Sequence, residues 1–361
     1  TSTGQSEARV TLLTERIKSS EGVDDLDDAL RSMSALSDRG PLTAAWNGAA
    51  QTVVQLLVAE SASSSSGAEN DDTMQLAVEL LAKVAKRAVP GDIAVEKMVQ
   101  QRTVNSIVQC IASGKMWLQL SAIELLLNLL EKASENLVEA ILQTHLGMMR
   151  LMETLSSARG HVRVRNDMLL LFLKLTAVSD RVGEFIAFSE GFATLESIMD
   201  GSEVTIVLDC LQIFSNVLRG SLVAKRLFCQ SSMIESIAKK LRNSAEQPSE
   251  REDDVGIVSE NESGRAGDMA SAALNVLETL LEGDGDDSSH GIQADVTRSG
   301  TVLPPLLKLM LGKNHPEALC HSAWRVGAAL VKGCPENQEH VISGDIYIPF
   351  PSTVRRVPIL T

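Results

Sequence analysis

Three segments of this sequence repeat one pattern of apolar residues, and this repeat constrains the fold more than any other feature. The segments 122–155, 166–199 and 208–241 align without gaps, with starting offsets of 44 and 42 residues. Their apolar positions coincide, so each segment is a copy of the same structural unit. The shared columns are Leu125/Leu169/Leu211, Ile141/Phe185/Leu227, Leu142/Ile186/Phe228, Met148/Phe192/Ile234, Leu151/Leu195/Ile237 and Leu155/Met199/Leu241.

Each copy is predicted to contain three helices. In the first copy, residues 116–133 predict a long helix, 135–144 a shorter amphipathic helix and 145–157 a third helix. The long helix is apolar on most of its faces and must be covered on several sides, which neighbouring copies in a stack would do. A period of this length is typical of armadillo and HEAT repeats. We therefore predict an all-α, armadillo-like right-handed superhelical solenoid.

The composition supports this fold class. Hydrophobic residues make up 44% of the chain but aromatic residues only 3%, so the core consists of Leu, Ile, Val, Met and Ala. Leu, Met and Ala favour helices, whereas strands favour aromatic and β-branched residues. We expect one repeat domain of about seven units over residues 1–361. Composition rich in serine or acidic residues predicts inter-helix loops at 60–72, 243–268 and 283–295.

The charge and the cysteines exclude several classes of function. The net charge is −14, and most of it lies in two of the predicted loops. An acidic chain does not provide the basic surface that nucleic-acid or anionic-lipid binding requires. The five cysteines are scattered through apolar helical patterns, which indicates a reducing compartment such as the cytoplasm. No apolar stretch is long enough to predict insertion into a membrane.

The sequence contains no catalytic or cofactor-binding motif. Phosphate-binding loops, nucleophile elbows and zinc-protease motifs are all missing from it. Its one concentration of His and Cys residues, at 315–340, lacks the spacing of a metal site. A calcium-loop-like stretch at 284–295 lacks the required glycine and glutamate. We therefore expect a protein without enzymatic activity, cofactor or metal.

The candidate interaction residues are Arg163, Arg165, Asn166 and Asp167, which directly precede a nearly continuous apolar run. They belong to a basic cluster with Arg150, Arg159 and Arg181, which could receive an acidic segment of a partner protein. Alternatively, the triplet Arg165-Asn166-Asp167 forms hydrogen bonds across a repeat junction, where buried polar groups need partners. The sequence leaves both interpretations open.

The central third of the chain resembles the globular head of the general vesicular transport factor family, also described as Uso-type Golgi tethers or transcytosis-associated proteins. The resemblance covers roughly residues 115–240, with weaker agreement at both ends, and Met168 stands where we would expect Gly. It rests on the order and spacing of packing motifs, which are HLGMMRLMETLSS (145–157), VRNDMLLLFLKLT (164–176), FIAFSEGFATLESIM (185–199) and IVLDCLQIFSNVLRG (206–220).

The resemblance implies an armadillo-repeat head that acts in ER-to-Golgi and intra-Golgi vesicle tethering. Its implied partners are a Rab-family GTPase, SNARE proteins and other Golgi tethers, and its implied location is cytoplasmic, peripheral on Golgi and transport-vesicle membranes. It further implies a homodimer formed through a coiled coil. Since no heptad run is present here, we expect the chain to be truncated before the end of the head and the coiled-coil tail.

The alternative function is that of an armadillo-repeat adaptor for nuclear transport or signalling. Armadillo importins read basic peptides through ladders of Trp and Asn residues on successive helices. The three tryptophans here, Trp46, Trp117 and Trp324, do not recur at the repeat period. This argues against an importin-like mode of binding.

Overall fold

The computed structural model describes residues 2–20, 22–38, 44–62, 68–158, 161–245, 260–282, 287–311, 315–332 and 334–343. Throughout these ranges the regular secondary structure is helical, and no strand occurs in them. The chain divides into two compact units, Thr1–Phe185 and Ile186–Thr361, here called unit 1 and unit 2. The predicted all-α solenoid is confirmed.

The helices within the described ranges are α1 (Ser2–Ser19), α2 (Val23–Ser37), α3 (Ala44–Ala62), α4 (Ala68–Arg87), α5 (Ile93–Met98), α6 (Gln101–Ala112), α7 (Met116–Gln143), α8 (Gly147–Ser157), α9 (Val162–Val178), α10 (Asp180–Phe188), α11 (Gly191–Met199), α12 (Val204–Gly220), α13 (Leu222–Gln230), α14 (Met233–Ala245), α15 (Glu260–Leu281), α16 (Asp287–Arg298), α17 (Leu303–Leu311), α18 (Glu317–Val331) and α19 (Pro335–Ser343).

The helices of unit 1 are arranged in two adjacent rows. In the first row, α2 packs on α4, α4 on α7 and α7 on α9. In the second row, α1 packs on α3, α3 on α6 and α6 on α8, and helices of the two rows also contact each other. Each long helix of the first row is thus covered by its neighbours, as its nearly continuous apolar surface requires.

Unit 2 has the same kind of organisation. The helices α12, α15 and α18 pack side by side in chain order, and α11, α14 and α17 form a second row. The short helices α13, α16 and α19 contact one another in sequence. Phe192 of α11, Phe214 of α12 and Phe228 of α13 meet edge to face within this unit, with ring centroids 5.2–5.8 Å apart.

The three-helix unit predicted at 116–157 is confirmed. The helix α7 is interrupted at Ala133, whose backbone has φ −150° and ψ 55°. A long and a short helical segment therefore lie on either side of this residue, and α8 follows as the third helix. Four of the predicted apolar columns are buried in all three copies: Leu125/Leu169/Leu211, Met148/Phe192/Ile234, Leu151/Leu195/Ile237 and Leu155/Met199/Leu241.

A left-handed residue followed by glycine makes the turn into the third helix of two copies. Leu146 has φ 60° and Glu190, at the equivalent position, has φ 58°. A Cβ atom on the following Gly147 would lie 2.6 Å from the carbonyl oxygen of Ile141, and one on Gly191 equally close to that of Ile186. Only glycine allows this close approach of the backbone. The predicted helix at 145–157 therefore begins at Gly147.

Helices extend into all three predicted loops. The first loop is shortened by α3, which continues to Ala62, and by α4, which starts at Ala68. In the second, α14 runs to Ala245 and α15 starts at Glu260. The remaining parts of the three loops, 63–67, 246–259 and 283–286, lie outside the described residues.

The predicted loop at 283–295 is wrong for residues 287–295, which belong to α16. Polar composition suggested a loop, but Ile292, Ala294 and Val296 are buried against the rest of unit 2. The apolar surface buried by these few side chains stabilises a helix that its polar composition does not predict. The organisation into about seven units remains a prediction.

Candidate protein-interaction surface

The predicted residues Arg163, Arg165, Asn166 and Asp167 lie in the first two turns of α9, immediately after the connection from α8. Arg163 is exposed, whereas the other three are half-buried. Residues four positions apart share a helix face, so Arg163 and Asp167 point in similar directions. The predicted set therefore spans the boundary between the surface and the packed interior.

Asp167 has a mixed electrostatic environment. Burial raises the pKa of its carboxyl group, Arg163 lowers that pKa and Glu124 of α7 raises it further. Desolvation disfavours the charged form of a carboxylate, and a nearby cation offsets this effect only in part. The carboxyl group of Asp167 is therefore influenced both by Arg163 on its own helix and by Glu124 on the neighbouring α7.

Two polar atoms of the predicted set are sealed from solvent without a hydrogen-bond partner among the described residues. They are Nε of Arg165 and Oδ1 of Asn166, and Nη1 of Arg150 on α8 shares this property. An inaccessible polar atom without a partner costs about 1–3 kcal/mol. These two atoms do not make the hydrogen bonds that the repeat-junction interpretation expects, and Arg163 is exposed, so both interpretations of the predicted set stay predictions.

The wider basic cluster is only partly neutralised. Arg181 forms an ion pair with Glu139, with 2.9 Å between Nη1 and Oε2. Within the described ranges, no ion pair involves Arg150, Arg163 or Arg165, and Arg159 lies outside those ranges. The start of α9 therefore carries arginines without an ion pair among the described residues, although Arg163 also interacts electrostatically with Asp167.

A groove in unit 2 was not predicted from the sequence. It has a volume of about 340 Å³ and lies between α12, α15 and α18, and we call it the α15 groove. Its polar lining comprises Gln212 from α12, Asp268, Asn275 and Glu278 from α15, and Arg325 from α18. The polar positions of α15 recur every three to four residues, which is the one sequence signal that could have indicated a polar helix face.

The described side chains show no arrangement typical of a metal centre or an activated thiol. Within the described ranges, no group of three or more His, Cys, Asp or Glu residues is placed to hold a metal ion. Burial raises the pKa of the Cys110 and Cys229 thiols to about 12, the opposite of the shift found at reactive cysteines. None of the described helices has the length and apolar character needed to cross a membrane.

The sequence has limited similarity to proteins of known function. No protein-family model matches it. General vesicular transport factor p115 from Bos taurus and from Homo sapiens are each 27% identical over 142 residues, which is 38% of this chain and 14% of theirs. The chain therefore matches about one seventh of the length of these relatives.

Solved structures match far more of the chain. Uso1-1 superimposes with a TM-score of 0.77 at 16% identity, covering 93% of this chain and 54% of its own. Uso1-2 gives a TM-score of 0.76 and covers 97% and 54%, and a designed armadillo repeat protein gives 0.52 over 77% and 99%. The chain is thus an armadillo-like, all-α solenoid with the fold of the Uso1 fragments, and a part of its sequence is weakly similar to a vesicular transport factor.

Proposed function

We propose that this chain is the non-catalytic head of a vesicle-tethering factor, which acts in ER-to-Golgi and intra-Golgi transport by binding Rab GTPases and SNARE-associated proteins. The observation that carries the proposal is the likeness of fold to Uso1 over nearly the whole chain. The sequence similarity to p115 supports the same role. In this role the protein is cytoplasmic and associates peripherally with Golgi and transport-vesicle membranes.

The physical basis of such a role is a long surface of packed helices that holds other proteins. The start of α9, with Arg163, Arg165, Asn166 and Asp167, is our proposed contact surface for a partner. Arg163 is exposed and has no ion pair among the described residues. An acidic side chain of the partner can therefore approach it from solvent, although Arg163 also interacts electrostatically with the half-buried Asp167.

Binding to a Rab GTPase can be tested directly with the intact chain. The immobilised protein is incubated with a panel of purified Golgi Rab GTPases, each loaded with GDP or with a non-hydrolysable GTP analogue. We expect at least one Rab to be retained in its GTP-bound form and not in its GDP-bound form. Equal retention of both forms, or of none, would contradict the proposed function.

The contact residues can be tested in the same experiment. Arg163→Ala removes an exposed cation and should weaken retention without changing the melting temperature. The matched control is Arg102→Ala, which removes another exposed arginine of unit 1, on α6. A fall in melting temperature with unchanged binding would instead assign Arg163 to the repeat junction.

The alternative role as an importin-like adaptor receives no support from the tryptophans. Trp46 is buried, with 3% of its surface exposed, whereas Trp117 is 58% exposed. A buried indole cannot contribute to a ladder that holds a peptide. A long coiled coil followed by an acidic terminus in the full-length protein would distinguish the tether from such an adaptor.

A further inference from the structure

We propose that the arginines at the start of α9 bind a phosphorylated Ser or Thr side chain of a partner protein. The proposal rests on the proposed function, because it names the chemical group that the partner presents to this contact surface. It is carried by the positions of Arg163 and Arg165 in the helix, by the uncapped backbone at the helix start and by the surrounding charges.

The first turn of α9 places positive charge where a helix disfavours it. The macrodipole of a helix gives its N-terminus a partial positive charge, which stabilises acidic side chains there and destabilises basic ones. The first turn of α9 contains no acidic residue, whereas Arg163 and Arg165 both lie in it. The protein therefore carries an electrostatic cost at this position, and a bound anion would remove it.

The backbone at the start of α9 provides hydrogen-bond donors. The first N–H groups of a helix have no partner within the helix, and a side chain at the N-cap position commonly binds one of them. Asp92 and Ser221 cap the starts of α5 and α13 in this way. The N-cap residue of α9 is His161, which is exposed and makes no such hydrogen bond in the described part of the chain.

The guanidinium groups add donors at the same end of the helix. Side chains of a helix leave the backbone tilted toward its N-terminus, so Arg163 and Arg165 both extend in the direction of the uncapped N–H groups. Neither arginine has an ion pair among the described residues, and Nε of Arg165 also lacks a hydrogen-bond partner there. A guanidinium group binds two phosphate oxygens at once through parallel N–H groups.

A phosphate group suits these donors better than a carboxylate does. It carries up to two negative charges and three acceptor oxygens, so it can bind a guanidinium group and backbone N–H groups together. A carboxylate has one charge and two oxygens and satisfies only part of them. The nearby acids, Asp167 and Glu124, influence each other, and Asp167 lies one turn beyond Arg163, so they leave the helix start itself positive.

A protein is the source of the phosphate that the surroundings favour. Val162 is 59% exposed beside Arg163, and its apolar side chain can contact the residue next to a phosphorylated side chain. The net charge of −14 opposes the approach of this chain to an anionic membrane. A partner segment with a single phosphate group meets much less of that repulsion.

The test uses the intact chain and a fluorescent nine-residue peptide of Gly, Ala and Ser with one phosphoserine at its centre, at physiological salt. We expect saturable binding of this peptide and no binding of the unphosphorylated one. A peptide with Glu in place of phosphoserine should bind about tenfold more weakly. Equal binding of the Glu peptide would overturn the proposal and assign the surface to carboxylates, and absence of phosphopeptide binding would overturn it as well.

The role of Arg163 is tested by two substitutions. Arg163→Ala should bind the phosphopeptide about tenfold more weakly, and Arg163→Lys should lie between, because it keeps the charge and loses the planar fork. The control Arg102→Ala removes an exposed arginine on α6 and should bind like the unchanged protein. Saturating phosphopeptide should raise the melting temperature of the control more than that of Arg163→Ala. Equal binding by these two variants would refute the assignment.

The phosphate site and the tethering role can fail independently. Retention of a Rab GTPase without binding of the phosphopeptide would overturn the phosphate site alone. Binding of the phosphopeptide without retention of any Rab would contradict the tethering role alone. Binding to vesicles that contain phosphoinositides, without binding of the phosphopeptide, would assign the arginines to a membrane and overturn the proposal.

Discussion

Gln293 and Asn337, from two different helices, together bind the carbonyl groups at the C-terminal end of α18. The side-chain amide of Gln293 on α16 donates to the carbonyl oxygens of Ala329 at 2.7 Å and Lys332 at 2.9 Å. Asn337 on α19 donates to the carbonyl oxygens of Leu330 at 2.6 Å and of Gln293 itself at 3.4 Å. The final carbonyls of a helix have no partner within the helix, and these amides provide one.

Replacing Gln293 by Leu should lower the free energy of unfolding by about 1 kcal/mol. The buried carbonyl groups lose their donors, and this loss is offset in part because the sealed Oε1 atom of Gln293, which has no hydrogen-bond partner among the described residues, is removed as well. Urea denaturation of the two proteins measures the difference. The matched control is Gln338→Leu. Gln338 makes the same kind of bond, to the carbonyl of Val331 at 3.0 Å, but is exposed, so water replaces it at little cost. Equal effects of the two substitutions would contradict the role assigned to Gln293.

Replacing Gly147 by Ala should destabilise the protein, because the new methyl group would lie 2.6 Å from the carbonyl oxygen of Ile141. Relief of this clash requires a shift of the turn between α7 and α8. The control is Gly48→Ala within α3, where a Cβ atom meets nothing within 4 Å. There the exchange should be neutral or stabilising by about 0.5–1 kcal/mol, since alanine favours helices. Thermal denaturation distinguishes the two outcomes, and a loss at both positions would refute the steric argument.

Replacing Asp209 by Asn should raise the melting temperature at neutral pH. Burial raises the pKa of the Asp209 carboxyl above its ordinary value, so the folded state binds its proton more readily than the unfolded state. Stability is therefore lost as the pH rises from the ordinary pKa through the raised one, and the ionised group is a net cost above both.

The advantage of the Asn variant should shrink as the pH is lowered into the acidic range. Melting curves of both proteins between pH 7 and pH 4 measure this convergence. Asp268→Asn, at an exposed carboxylate of α15, is the comparison variant and should show a smaller change. An advantage of the Asp209 variant that does not vary with pH would contradict the assignment.

The cysteines at positions 110 and 229 should resist alkylation in the folded protein. Their thiol pKa values are raised to about 12 by burial, so little thiolate is present at pH 8, and the thiolate is the reactive form. Iodoacetamide labelling followed by peptide mass spectrometry should show slow modification of both residues, and fast modification once urea unfolds the chain. Rapid labelling of Cys229 in the native state would show that α13 opens readily.

The sequence predicts the stacked architecture well because aliphatic periodicity is a local signal. Leu125, Leu151 and Leu155 are buried at the positions where the alignment of the repeats expects them. Local signals also predicted the interruption of α7 near Ala133. The helix α16 was missed because Ile292 and Val296 pack on parts of the chain that are distant in sequence, and a short polar segment does not reveal such contacts.

The interaction surfaces were less predictable for the same reason. The sequence placed Arg163 and Arg165 together, but it could not indicate that one is exposed and that the other has a sealed Nε atom. The α15 groove depends on residues more than one hundred positions apart, such as Gln212 and Arg325. Their proximity is created by the packing of three helices and has no counterpart in any short motif.

The row of long helices in unit 1 has a consequence for how this protein can evolve. Among the described helices of this row, α2 packs on α4, α4 on α7 and α7 on α9, and in such a stack each repeat mainly contacts its neighbours. Side chains on successive helices can therefore be substituted independently during evolution while the backbone fold is conserved. Such a scaffold tolerates the wide divergence that separates this chain from the solved proteins sharing its fold, and it leaves each exposed face free to acquire a partner of its own.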